Sequence, residues 1–186
     1  FYSNSKLYGE EAVKEKFPDC VIIRPSVVFG KRDSFTNFFI NMSNFSPFLP
    51  LIGTPGIKKK GLIPILNFTK KVKFQPVYVG DLVSFMINTC LLKKKIFDLS
   101  GPTIHSFDEI FDIILEAKKR KRFYLPIPFF IARIIAFFME ILPKPPLTRD
   151  QVRLLEYDNI SVKGFDNLKK IVKNPSSLKT IVKTYL

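Results

Sequence analysis

The sequence predicts an α/β fold around a short parallel sheet, and three stretches carry that expectation. Residues 2–16 repeat apolar positions at helical spacing and stop before Pro18; residues 20–23 then form a continuous apolar run, Cys-Val-Ile-Ile, as a strand covered on both faces requires. Residues 72–79 alternate well enough for a second strand and lead into Gly80-Asp81 and a helical pattern ending at Leu92. Residues 96–99 make a third short strand, closed by Ser100-Gly101-Pro102.

In the first helix Tyr8, Val13 and Phe17 mark an apolar side and Glu10, Glu11, Lys14, Glu15 and Lys16 a wet one, with Glu10 and Lys14 spaced to pair. Pro18 ends it, because proline has no N–H to continue the ladder. Residues 34–44 read as a helix carrying Phe35, Phe38, Phe39 and Met42, a spacing that points to core packing. From Thr54 to Lys71 breakers alternate with lysines without a clear period, and the stretch is expected to be an insertion in a surface loop, which closure entropy tolerates. Asp81 is placed to cap the helix over residues 82–92. Ser106 caps another, whose core face is Phe107, Ile110, Phe111, Ile114 and Leu115, with Glu109 at the capping-box position. Residues 123–128 are extended, residues 129–142 form an amphipathic helix, and Thr148 caps a short helix through Leu155. The tail, residues 164–186, reads as two short helical pieces, the second starting after Pro175-Ser-Ser.

Composition narrows the class. At 186 residues, 46% of them hydrophobic and 20 of them Phe, the chain suits one domain with a sizeable core and excludes wholesale disorder. Lys and Arg exceed Asp and Glu by 30 to 16, giving +14, yet the lysines fall in short clusters with no RNA-binding or helix-turn-helix signature around them. A bias towards Lys, Ile, Phe and Asn accounts for the charge, and no nucleic-acid partner is expected. Cys20 and Cys90 lie far apart in elements expected to be buried, with His105 as the single histidine, so neither a metal site nor a disulfide framework is predicted and a reducing compartment follows. The apolar run at residues 129–142 is interrupted by Arg133 and Glu140 and is shorter than the roughly 20 residues of a membrane span, which makes it a docking or membrane-surface face.

Chemistry concentrates at the start. Tyr2 and Lys6 are four residues apart and share a helix face. A phenol with a reference pKa near ~10 exchanges protons poorly at neutral pH, but an ammonium beside it favours the phenolate. Such a pair also arises by chance on exposed helices. What distinguishes it here is the sequel: helix, Pro18, strand, then Arg24-Pro-Ser-Val-Val-Phe-Gly30, lying just beyond a strand end where open α/β sheets gather their ligands.

This order resembles the later half of an extended, atypical short-chain dehydrogenase/reductase, with its YxxxK helix, next parallel strand and RPxxxFG turn. It is similar in particular to the group that includes accessory subunit nine of the complex I alpha subcomplex and bacterial NAD-dependent epimerase/dehydratase relatives. The matching phrases are Tyr2-Ser-Asn-Ser-Lys-Leu-Tyr-Gly-Glu10, Ile23-Arg-Pro-Ser-Val-Val-Phe-Gly30, Lys73-Phe-Gln-Pro-Val-Tyr-Val-Gly-Asp81, Leu99-Ser-Gly-Pro102 and Pro145-Pro-Leu-Thr-Arg-Asp-Gln-Val-Arg-Leu-Leu155. The resemblance implies the C-terminal part of a Rossmann-type NAD(P)-binding fold. Tyr2 would be the acid/base, Lys6 would hold the nicotinamide ribose and lower the Tyr2 pKa, and Pro25, Ser26, Val27 and Val28 would line the nicotinamide of NAD or NADP. Arg32, Gln75 and Asp81 would fall on the substrate side. For Asp81 a helix cap, and for Arg24 an ion pair bracing the sheet, stand as alternatives. Residues 1–45 and 72–92 would form the sheet and nicotinamide side, residues 54–71 the insertion, and residues 96–186 the substrate and docking region.

The departures are equally informative. A dinucleotide fold needs a glycine-rich first turn at a helix N-terminus, and the eight glycines here make no such fingerprint. The chain opens at Phe1, inside the motif, so an upstream glycine-rich βαβ part is expected to be missing and to act as a partner, on the same or a separate chain. Three functions follow as expectations: part of an NAD(P)-dependent sugar-nucleotide epimerase/dehydratase or reductase-like protein using the Tyr2–Lys6 pair, a non-catalytic accessory or assembly subunit docking on complex I or a membrane surface, or an inactive remnant of a split gene. The location expected is the bacterial cytoplasm, peripheral to the inner membrane, or alternatively the mitochondrial matrix.

Overall fold

A computed structural model describes the backbone of residues 2–60, 63–70, 72–143 and 145–185, and the side chains of all of these except Tyr2, Ser3 and residues 54–71. In chain order the elements are α1 (Tyr2–Lys16), β1 (Val21–Pro25), β2 (Val28–Phe29), α2 (Ser34–Phe45), β3 (Phe48–Lys60), β4 (Ile63–Lys70), β5 (Lys73–Phe74), β6 (Val77–Tyr78) and α3 (Val79–Thr89). They continue with β7 (Lys95–Leu99), β8 (His105–Ser106), α4 (Phe107–Ala117), β9 (Phe123–Pro128), α5 (Phe129–Met139), α6 (Arg149–Leu154), α7 (Val162–Lys169) and α8 (Leu178–Tyr185). These elements group into two compact units, Phe1–Asn37 with Phe74–Ile104 and Asn159–Leu186, and Phe38–Lys73 with His105–Asp158.

The first unit holds two parallel pairings. β1 lies parallel to β7 from Val21 opposite Lys95 to Pro25 opposite Leu99, and β2 lies parallel to β6. Val77, Phe85, Leu99 and Leu168 form its buried centre, with Ile23, Val28, Leu82, Phe97, Ile171 and Val172 packed around them. α7 starts at Val162, two residues before the expected position, because the Ser161 hydroxyl accepts from Gly164 N–H and caps it. The tail and β7 group with the α1–β1 side, where Leu168 is part of the core that Leu99 helps to build.

Three further expectations change. The strand predicted over residues 72–79 is two short pieces, β5 and β6, separated by Gln75-Pro76, because Pro76 cannot donate to a ladder. Cys90 is exposed, at the C-terminal cap of α3, and not buried. α1 spans its predicted range, but its apolar side is uncovered: Tyr8, Val13 and Phe17 are all exposed, Phe17 by 70%. β1 correspondingly pairs with β7 along one edge, and among the described residues no strand pairs with the other.

The second unit is built on a sheet ordered β4-β3-β9, with β3 antiparallel to β4 and parallel to β9. Residues 54–60 and 63–70, expected as irregular loop, are thus strand backbone, since pairing satisfies N–H and C=O groups that an irregular excursion would leave to water. α4 buries the predicted face, Phe107, Ile110, Phe111, Ile114 and Leu115, plus Ile113, and Ser106 N–H donates to Glu109 Oε2 at 2.9 Å as the return arm of the capping box. Arg122 Nε and Nη2 donate to the Ser43 carbonyl at 2.9 and 2.8 Å, capping the last turn of α2 with positive charge where its dipole is negative. α5 buries only Ala132 and Ala136, against Val152 of α6. It ends at Met139 and not at residue 142, as the Glu140 carboxylate turns to Arg149, accepting from its N–H at 2.7 Å and its Nε at 2.8 Å. Phe130, Ile134, Phe137, Phe138 and Ile141 stay exposed on this helix and the turn after it.

Candidate functional site

The carboxyl ends of β1 and β7 are tied by a dense polar knot. Ser26 N–H donates to the Leu99 carbonyl at 2.8 Å, and Ser26 Oγ donates to the Gln75 carbonyl at 2.5 Å. Val77 N–H donates to the Val27 carbonyl at 2.9 Å, so residues 26–27 are held on one side by β7 and on the other by the β5–β6 junction. Gln75 is 4% exposed, and its amide is also engaged: Nε2 donates to Gly101 O and Oε1 accepts from Ser161 N–H, both at 2.9 Å. Gly101 permits this closeness, since a Cβ there would lie 1.7 Å from the Pro76 carbonyl oxygen.

Of the expected site residues, Pro25, Ser26, Val27 and Val28 come together at this strand end, with Val28 against the core and Pro25 exposed. Gln75 and Asp81 stand close by in the chain but face inwards. Asp81 does not cap α3, whose N-cap is Tyr78; it lies in the first turn, 8% exposed, and its Oδ2 accepts from Ser176 N–H at 2.6 Å. Arg32 is exposed in the turn before α2, where the neighbouring Asp33 carboxylate accepts from Gly30 N–H at 3.1 Å and Thr36 N–H at 2.5 Å. The Tyr2 backbone starts α1 and its side chain lies outside the described residues; Lys6 follows on the same helix and is exposed.

α1 is tied to the end of β1 by charge. Arg24 Nε and Nη2 reach the two oxygens of Glu10 at 2.9 and 2.6 Å, and Lys14 Nζ reaches the same carboxylate at 2.7 Å. Arg24 thus makes an ion pair, and its partner is on α1 and not within the sheet. Hydrogen bonds from Arg24 and then Lys14 hold the Glu10 carboxyl at about 2, well below the ordinary 4.5. A folded-state pKa below the unfolded one means that this contact stabilises α1 fully above the ordinary value and is lost as pH falls through about 2. In a carboxyl-carbon NMR titration Glu10 is expected to have its midpoint near 2, and Arg24→Ala is expected to return it most of the way to the ordinary range. A wild-type midpoint above about 4 would exclude the pairing.

The fit to a dinucleotide is one-sided. The turn at residues 25–28 lies outside the carboxyl end of β1, after a helix bearing Lys6, and that is where open α/β sheets take ligands. No described glycine suits the pyrophosphate: Gly30, Gly80, Gly101 and Gly164 are filled by Val79, Tyr78, Pro76 and Ser100 of the same chain, Gly9 lies within α1, and Gly53 and Gly56 lie within β3 and not at a helix N-terminus. Residues that sequence reasoning missed are the tail positions meeting the strand ends. Ser161 O accepts from Ser100 Oγ at 2.6 Å, Asn159 O accepts from Gln75 N–H at 3.0 Å, and Tyr185 lies 3.4 Å from Thr36 Oγ1. Only Ser161 carried a signal, as a serine three residues before a glycine at a helix start.

The fold is that of Rossmann-type α/β proteins. The Thermus thermophilus UDP-glucose 4-epimerase in complex with NAD superposes with a TM-score of 0.58 at 14% identity, over 95% of this chain and 48% of the epimerase. The Citrobacter triphenylmethane reductase complexed with NADP(H) gives 0.65 at 16%, over 97% of this chain and 58% of the reductase. In sequence, the chain is similar to mouse NADH dehydrogenase (ubiquinone) 1 alpha subcomplex subunit 9, mitochondrial, 27% identical over 178 residues, which are 94% of this chain and 43% of the mouse protein. The chain thus spans less than half the length of the curated relatives it matches. No protein-family model matches it. No helix of the described residues is long and apolar enough to cross a membrane.

Proposed function

We propose that this chain is the nicotinamide-side and C-terminal portion of an NAD(P)-binding protein of the extended short-chain dehydrogenase/reductase type. The observation that carries the reading is the run of α1 into β1, with Tyr2 and Lys6 on the helix and residues 25–28 at the strand's carboxyl end, in parallel register with β7. Tyr2 serves as the proton donor or acceptor. Lys6 favours its phenolate and binds the ribose, and the knot at Ser26 and Gln75 keeps the turn in place. The dinucleotide, when bound, supplies the hydride chemistry. Its pyrophosphate site comes from a glycine-rich βαβ part outside these residues, which pairs with the open edge of β1 and covers Val13 and Phe17.

The 186-residue chain alone is accordingly expected to bind NAD or NADP weakly or not at all. Isothermal titration yielding micromolar affinity for the isolated chain would overturn the half-site reading.

A second reading has its own support. The relatives matched in sequence are mitochondrial complex I subunits, more similar to this chain than the enzymes whose fold it shares. As an accessory subunit the chain would use the dinucleotide for stability and dock on complex I subunits or the membrane surface through α5, in the mitochondrial matrix or on the inner face of a bacterial membrane. Tyr2→Phe in the full-length protein separates the two: an enzyme loses turnover by orders of magnitude, whereas an accessory subunit assembles normally and loses nothing. A remnant of a split gene does neither.

A further inference from the structure

We propose that Gln75 is a positioning residue through which the C-terminal tail holds the turn at residues 25–28. Its functional meaning rests on reading that turn as the nicotinamide side; the coupling itself stands on geometry. Two sets of contacts meet at this one buried side chain and its backbone. On the turn side, Ser26 Oγ donates to the Gln75 carbonyl and Val77 N–H, two residues on, donates to Val27 O. On the tail side, Gln75 N–H donates to Asn159 O and Gln75 Oε1 accepts from Ser161 N–H. The remaining contacts lock the two sets together: Nε2 donates to Gly101 O, Gly101 N–H donates back to Gln75 O at 3.2 Å, and Ser100 Oγ donates to Ser161 O.

The tail has a second anchor close by in sequence, where Asp81 accepts from Ser176 N–H. The tail therefore grips the segment from Gln75 to Asp81 at both ends, and that segment grips the turn. Releasing the tail leaves Gln75 Oε1 without its donor and Gln75 N–H without its acceptor in a residue only 4% exposed, which the chain relieves by moving the segment that Ser26 and Val27 hold. Coupling of this kind is reciprocal: loosening the turn must loosen the tail by the same factor. A Gln75 that merely filled space would not transmit in either direction.

Residue-resolved hydrogen exchange on the whole chain, without cofactor, tests this. Gln75→Met keeps length and burial while removing the amide. It is expected to speed exchange at Ser161 directly and at Ser26 and Val77 by about tenfold, leaving Phe85 in α3 and the amides of α4 unchanged. Ser26→Ala removes one hydroxyl at the other end and is expected to speed Ser161 in turn. Faster exchange at Ser161 with Ser26 and Val77 unchanged would overturn the coupling. So would a rise at Phe85 equal to that at Val77, which marks general loosening, or an unmoved Ser161 in Ser26→Ala. No arm contains NAD or NADP, so failure here is distinct from failure of the nicotinamide reading, which the cofactor titration decides.

Discussion

Replacing Gly101 with alanine is expected to cost the first unit about 3 kcal/mol or more. The added methyl would sit 1.7 Å from the Pro76 carbonyl oxygen and 2.8 Å from its carbon, both backbone atoms that no rotamer change can move. Relief requires the Ser100–Gly101 backbone to retreat from the β5–β6 junction, and that breaks the contacts of Gln75 with Gly101 in both directions. The melting transition of this unit should fall by about 10 °C or more. Gly9→Ala is the matched control: nothing lies within 4 Å of a Cβ there, and an exposed helical glycine replaced by alanine gains up to about 1 kcal/mol. Equal effects of the two substitutions would show that the close approach at Gly101 is not made.

In the second unit the largest loss is expected from Phe111→Ala, at about 3–5 kcal/mol. Phe111 is fully buried, and its ring lies 4.7 Å from that of Phe39 and 4.9 Å from that of Phe107, so truncation leaves a cavity walled by rings that cannot collapse into it. Urea unfolding should show the midpoint falling without a change in slope. Phe138→Ala on the exposed side of α5 should move it by less than about 0.5 kcal/mol, since that ring is 62% exposed. The contrast matters for function. Phenylalanines form a core in α4 and an exposed face in α5, in keeping with the core face expected of the one and the surface face expected of the other.

Where the fold was legible, the signal was local. The core face of α4 follows from the 3.6-residue repeat of Phe107, Ile110, Phe111 and Ile114, and its start follows from Ser106 and Glu109 lying three apart. Thr148, read as the cap of α6, does cap it, accepting from Gln151 N–H at 3.2 Å. The resemblance to extended reductases was legible for a related reason: Tyr2, Lys6 and the Arg24 to Gly30 turn lie within one helix–strand–turn passage. That the eight glycines make no phosphate-binding fingerprint was legible as well, from their spacing.

What lay beyond reach involved partners distant in the chain. Asp81 has the composition and position of an N-cap, yet its carboxylate is taken by Ser176, and no local pattern announces a donor so far along. The resemblance puts Gln75 on the substrate side, and no local pattern announces that its backbone and amide also join residues 26, 101, 159 and 161. Lysine and glycine have low strand propensity, so residues 54–70 read as loop until the antiparallel register of β3 and β4 is seen.

Tyr2 to Gly30 therefore points to the class of fold, because helix, breaker, strand and turn are each specified by residues within a few positions of one another. Which strand lies beside β1, that the tail closes on the same unit, and that Gln75 and Asp81 are anchors for it were decided only by tertiary contacts. The physical reason is that a buried polar group takes whatever partner the packed chain brings to it, and its own neighbours in sequence do not encode that partner.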